Sequence, residues 1–181
     1  MYRAVAWRAR QRGIDLADEA AVARVSEQAT FDLDDRVVVD GHDVTSAIRT
    51  PDMDAAAAVV ARHPQVRAVL VERQRAYGHA GGVVMEGRDI GTVVFPDADV
   101  KIYLDASPEE RARRRAADPA HAAGREAVAA VAQALDARDL SDRTRAVSPL
   151  SQADDAVYID TTGLQVDQVV EKVLQAVGAK P

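Results

Sequence analysis

Apolar residues in the first thirty positions recur at helical spacing. Tyr2, Val5 and Ala9 share one face, Gly13 ends the segment, and residues 18–29 predict a second helix. The first helix begins at the chain's first residue, with no cap or lead-in. Over residues 31–49 the pattern shortens to strands: 36–40 followed by 41–44 predicts a hairpin or a three-stranded ribbon. Pro51 opens an alanine-rich helix to Arg62, and Pro64 opens another to Arg75. Proline suits the first helical position because the N–H it lacks would have no partner there. A loop over 78–82 leads to Val83, Val84 and Met85, which read as a short buried strand running into Gly87, Arg88 and Asp89.

Residues 100–105 give the clearest strand, and Ser107 with Pro108, Glu109 and Glu110 the clearest helix start. Serine caps, proline takes the first turn, and the acids meet the positive end of the helix dipole. This helix carries Arg111, Arg113, Arg114 and Arg115. Residues 118–124 interrupt it with proline and glycine, and 125–138 predict a long helix. Residues 156–160 form a last strand, 161–163 a turn, and 166–177 a closing amphipathic helix. Strands alternating with helices predict an α/β fold with a parallel sheet and flanking helices. No internal repeat or long linker divides the chain.

The length of 181 residues fits one domain, and 48% hydrophobic with 29% charged residues fits a folded globular chain. With no cysteine, disulfides, thiolate metal sites and a cysteine nucleophile are excluded. No apolar run reaches the roughly 18 residues of a membrane span, and no signal-peptide plan is present. A cytoplasmic protein without a membrane partner is expected. The net charge of −6 argues against broad binding to nucleic acid. Of the 23 basic residues only Lys101, Lys172 and Lys180 are lysines. Such a bias fits a GC-rich genome. It equally fits phosphate binding, for which the guanidinium offers a bidentate fork. Placement has to decide.

Three constellations bear on this. Arg88 and Asp89, between Gly87 and Gly91, follow a predicted strand, where open α/β sheets bind ligands and where glycine lets a ligand approach the backbone. Arg138, Asp142 and Arg145 stand at i, i+4 and i+7. Their spacing favours a solvated helix face, although it equally suits a phosphate at both ends and a sugar hydroxyl between. Arg111, Arg114 and Arg115 share a face that snorkelling surface arginines or a polyphosphate grip would both explain. His42, His63, His79 and His121 have no ligand spacing, so no metal site is expected. No G-x-x-x-x-G-K-[ST] phosphate loop occurs in the chain.

Met1-Tyr2-Arg3, residues 41–50, Arg67, the Arg73-Gln74-Arg75 run, residues 86–97, 100–107, 138–150, 153–156 and 159–162 occur in one order across essentially the whole chain. In that order they resemble bacterial cytidylate kinase, the (d)CMP kinase branch of the nucleoside monophosphate kinases. The resemblance implies a P-loop kinase-like parallel sheet and phosphoryl transfer from ATP, with Mg²⁺, to CMP or dCMP. It implies that Arg67 and Asp89 read the cytosine edge, that Arg138 and Asp142 hold the pentose, and that Arg3, Arg88 and Arg145 grip the acceptor phosphate. Arg88 and Arg145 are then catalytic. Residues 31–50 resemble the β-ribbon insert of the CMP-binding region, and 111–124 a lid whose Arg111 and Arg115 meet ATP.

Two departures stand out. Ala58 replaces a serine that helps bind cytosine in the family. The family's opening strand, P-loop, helix and second strand have no counterpart, and with them go the ATP-phosphate cradle and the hydroxyl ligand of Mg²⁺. The expectation is a chain truncated at its start and impaired as a kinase. The alternatives are a non-catalytic nucleotide-binding remnant that pairs with another chain, or a related kinase with another small acceptor. Among base contacts, Arg67→Ala and Asp89→Ala are expected to weaken CMP most; equal losses for CMP, AMP and UMP in equilibrium binding would count against the assignment.

Overall fold

Three helices are capped by the side chain that precedes their first residue, as the sequence predicts for Ser107. Asp18 accepts from the Ala21 N–H at 2.9 Å, Thr50 from Met53 at 3.2 Å and Ser107 from Glu110 at 3.2 Å. Each satisfies a donor that the first helical turn leaves without a partner. The computed structural model describes residues 1–118 and 128–179. Two units divide the chain, Met1–Gly82 and Val83–Pro181.

The first unit contains α1 (Tyr2–Gln11), α2 (Glu19–Gln28), β1 (Phe31–Asp32), β2 (Val38–Val39), β3 (His42–Asp43), α3 (Pro51–Val60) and α4 (Pro64–Gly78). Helix α1 packs on α2 and α3, and α2 packs on α4. Their shared core includes Val5, Ala9, Val22, Val25, Met53, Val60, Val66 and Leu70. Alanines among these contacts (Ala6, Ala9, Ala23, Ala56) let the helix axes approach closely.

The strands form the predicted three-stranded antiparallel ribbon, in the order β1-β2-β3, over a second cluster of Ala4, Ala29, Val39, Val44 and Ile48. Its β2–β3 turn places Asp40 at φ 49° and Gly41 at φ 77°, the positive-φ pair that matches the twist of a tight hairpin. The Asp40 carboxylate ties this turn to α1. It accepts from Arg8 Nε at 2.6 Å, from Arg12 Nη2 at 3.2 Å and from the Thr30 N–H at 2.9 Å. Burial opposes its charge, but the bonds from Thr30 and Arg8 prevail and hold its pKa below the ordinary carboxylate value. Helix α4 holds the other end of the ribbon. Arg73 donates to the Ala29 and Glu27 carbonyls and lies 5.4 Å from the Phe31 ring centroid, while Tyr77 Oη donates to the Phe31 carbonyl.

The second unit contains a π-helical turn (Ile90–Val94), β4 (Ile102–Asp105), α5 (Pro108–Ala117), α6 (Val128–Thr144), β5 (Val157–Asp160) and α7 (Val166–Gly178). Strands β4 and β5 pair in parallel, with Ile102 opposite Val157 and Asp105 opposite Asp160. Two parallel neighbours need a long crossover, which carries α5 and α6. Tyr103 and Tyr158 stack across the pair at 6.1 Å. Little of this unit is an apolar core. Helix α7 buries no residue, and Leu104 and Tyr158 on the sheet are more than half exposed.

The predicted strand at 83–85 does not form. A strand needs a neighbour for its backbone groups, and among the described residues none pairs with this segment, in which Val84 is fully exposed. Helix α4 continues past Arg75 to Gly78, and α6 past Arg138 to Thr144. The π turn after Asp89 has no counterpart in the predicted elements. The 119–124 part of the expected lid, His121 and the first residues of the helix expected from 125 lie outside the described residues. Among the described residues no helix is long and apolar enough to cross a membrane.

Gly41 has φ 77° and open space where a Cβ would lie, so the cost of a side chain there is purely conformational. Gly41→Ala is expected to destabilise the chain by about 1–2 kcal/mol. Gly178→Ala, at the end of α7 and also in open space, is expected to be neutral or stabilising by up to about 1 kcal/mol. Denaturant titration of the two variants checks the contrast in sign.

Candidate functional site

Helix α6 reverses the usual amphipathic plan. Its buried residues are Asp139 and Asp142, at 9% and 8% exposure, while Leu140 is 64% exposed. Buried carboxylates must be matched by charge and hydrogen bonds, and here most of the matching comes from other elements. Arg88, in the loop before the π turn, donates from Nε to Asp142 Oδ2 at 2.8 Å and from Nη2 to Asp139 Oδ1. Arg111, in the first turn of α5, donates from Nη1 to Asp139 Oδ2. One carboxylate therefore bridges two guanidinium groups.

Arg145 follows the last residue of α6, and its side chain is only 7% exposed. It lies 3.7 Å from Asp89 Oδ2 and 3.7 Å from Asp142 Oδ1, and donates from Nε to the Ser148 carbonyl at 2.5 Å. Arg138 Nε stands 3.9 Å from Asp142 Oδ2. Asp89, at 8% exposure, is fixed by its own backbone, since its carbonyl accepts from the Val93 N–H at 2.9 Å and, in the π turn's ring, from the Val94 N–H at 3.3 Å.

The structure thus brings together Arg88, Asp89, Arg138, Asp142 and Arg145, with Arg111 attached through Asp139. The solvated-face reading of Arg138, Asp142 and Arg145 is overturned. Spacing along α6 says nothing of the guanidinium groups that reach it from outside the helix. The structure also adds Asp139, which sequence reasoning passed over. Its signal was available as a second aspartate three residues before Asp142, on the same helix face.

The expected polyphosphate face on α5 divides. Arg114 joins α5 to the turn after β5, donating to Thr161 Oγ1 at 2.9 Å, to the Thr161 carbonyl at 2.6 Å and to Glu110 at 2.7 Å. Hydrogen bonding from Arg113, and then from Arg114, pulls Glu110 down to about 2. Arg115 lines an open groove of about 320 Å³ with Arg111, Arg114, Asp118 and Leu135. The space beside the two glycines is taken by the chain itself. A Cβ on Gly87 would lie 2.8 Å from Ile90 Cγ1, and one on Gly91 would lie 3.3 Å from Lys101 Cδ.

Arg3 and Arg67 belong to the first unit. Arg67 is 3% exposed, with its guanidinium carbon 5.8 Å from the Tyr2 ring centroid. Arg3 donates to the Ile48 carbonyl at 3.1 Å and pairs with Asp54 at 2.6 Å. Ala58 lies half-buried on α3.

Among the described residues, the ion pairs of the second unit's cluster join four guanidinium groups to three carboxylates. Such a site suits an anion. It does not fit Mg²⁺. Its carboxylates are committed to arginines, and no group of three or more metal-ligating side chains occurs among the described residues.

A parallel strand pair joined through helices, an antiparallel ribbon and a cationic cluster are the parts of a nucleoside monophosphate kinase-like α/β architecture. Comparison with known proteins specifies it further. The cytidylate kinase family profile matches residues 1–179. Cytidylate kinase of Desulfitobacterium hafniense is 48% identical over 178 residues, covering 96% of this chain and 77% of that protein. Cytidylate kinase of Pelotomaculum thermopropionicum is 46% identical, covering 99% and 82%. That of Bacillus subtilis is 42% identical, covering 99% and 83%. The chain belongs to the cytidylate kinase family, whose general reaction is the phosphorylation of CMP or dCMP by ATP.

Burial raises the pKa of Asp139, yet hydrogen bonds from Arg88 and Arg111 outweigh it and leave the carboxyl below its ordinary value. Because the folded value lies below the unfolded one, this contribution to stability is complete above the unfolded value of about 4. It is lost as pH falls through the depressed folded value. Asp139→Asn is therefore expected to destabilise the chain at pH 7 and to flatten the acid limb of stability against pH, as read by denaturant titration between pH 7 and 3.

Proposed function

We propose that the cationic cluster of the second unit receives the acceptor phosphate while ATP phosphorylates CMP or dCMP. Arg88 and Arg145, with Arg3, hold that phosphate; Arg138 and Asp142 hold the pentose; Arg67 and Asp89 read the cytosine edge. Arg111 and Arg115 on α5 serve ATP, and Mg²⁺ enters as part of that substrate.

The observation that supports this reading is the convergence of four arginines on three buried aspartates in a hydrogen-bonded network. Phosphoryl transfer asks little covalent chemistry of the protein. It asks that two anions be positioned and that the charge spread over the transferring group be stabilised. Guanidinium groups fixed in advance by buried carboxylates supply that stabilisation without reorganising during the reaction. For the base, the guanidinium of Arg67 donates and the carboxylate of Asp89 accepts, which suits the mixed hydrogen-bonding edge of cytosine.

Initial rates with ATP and Mg²⁺ on CMP, dCMP, UMP and AMP test the reading. CMP and dCMP are expected to be preferred, and Arg145→Ala to lower kcat about 10²-fold, the scale of one lost charge-stabilising donor. Turnover of AMP equal to that of CMP overturns it in favour of another acceptor.

A further inference from the structure

Arg88 carries five N–H donors, and the way it is held decides which remain available. Nε and Nη2 lie on one edge of the guanidinium plane, and both are engaged, Nε by Asp142 and Nη2 by Asp139. Nη1 donates to none of the described residues, and the side chain remains 35% exposed. The terminal fork of Nη1 and Nη2 therefore keeps N–H groups for a bidentate acceptor, the arrangement by which arginine binds phosphate. Two carboxylates three residues apart on a rigid helix fix this orientation, because a planar group gripped along one edge cannot rotate its end away.

Asp139 does more than its neighbour. Its second oxygen holds Arg111, so the position of the α5 arginine and that of the arginine in the loop before the π turn are set by the same carboxylate. With 9% exposure it has no freedom to follow a ligand, and it engages Arg88 through Nη2 while Nη1 is left to other acceptors.

We propose that Asp139 is the positioning residue of the phosphate site, holding Arg88 with its terminal fork presented to the acceptor phosphate and holding Arg111 in register with it. The proposal rests on the phosphate-binding reading of the cluster given above. Asp139 itself touches no substrate and acts through the two arginines. Two effects of opposite sign follow from removing it. A lost negative charge favours an incoming anion, whereas a lost orientation disfavours it. Positioning requires the second to prevail.

Equilibrium binding of CMP and of cytidine to the intact chain isolates the phosphate contribution, as the ratio of the two affinities. Wild type is expected to favour CMP strongly. Asp139→Asn, which keeps the shape and removes the charge, is expected to lower that ratio by about 10- to 100-fold, the cost of a misplaced binding group, with cytidine affinity unchanged. In the Arg88→Ala background, Asp139→Asn is expected to cost little more, because its partner is gone.

Asp139→Glu keeps the charge and moves the anchor by one methylene. It is expected to lose an intermediate amount, and it serves as the test should Asp139→Asn fail to fold. A ratio unchanged or raised in the folded variant, or losses that add across the double mutant, overturns the role of Asp139 while the phosphate reading stands. A wild type that binds CMP and cytidine equally overturns both.

Discussion

A carboxylate removed from water must be matched, and in the second unit three of them are. Asp89, Asp139 and Asp142 are each less than a tenth exposed. Their partners arrive from the segment before the π turn, from α5, and from the end of α6 itself. Removing one partner of such a network leaves a buried charge, which costs about 3–5 kcal/mol. With few buried apolar residues in this half, the network takes over much of the work that a hydrophobic core does in the first. It also sets the chemistry. The arginines that fold this half are the same groups proposed above to meet a phosphate.

The first unit obeys a different rule. Its helices meet through alanine, valine and leucine, and several of its polar contacts attach the ribbon. Asp40 pins the turn to α1, while Arg73 and Tyr77 pin the first strand to α4. The two-residue strands β1, β2 and β3 bury too little to stand alone. Their order depends on these side chains and on the cluster beneath them. The arginines of this unit therefore divide between structure and candidate chemistry. Arg8 and Arg73 hold backbone and ribbon, whereas Arg67 is buried against the Tyr2 ring.

Much of this was legible in the chain. The helix starts read at Asp18, Pro51 and Ser107 depend on residues within one turn, so a one-dimensional pattern carries them. The ribbon was legible for the same reason, since Asp40-Gly41 is a turn that needs nothing distant. The failed strand at 83–85 shows the limit. Three apolar residues satisfy a strand pattern, but a strand also needs a neighbour, and that lies outside the window. Of the site, Arg88 and Asp89 stood out by their place after a predicted strand, while Arg138, Asp142 and Arg145 took a ligand role only through resemblance to a family. Spacing alone favoured a solvated face for three of them, because it cannot see charges that approach from another element. Asp139 stayed hidden among neighbours of its own kind.

The inverted face of α6 carries a consequence for how this helix tolerates sequence drift. On an ordinary surface helix the apolar positions are guarded and the charged ones vary freely. Here Val128 and Leu140 look outward, half or more exposed, and accept polar replacements at little cost. The aspartates take the place of the core. A comparison of diverged chains that weighted hydrophobic identity would misjudge α6, scoring its replaceable positions as essential and its indispensable ones as decoration.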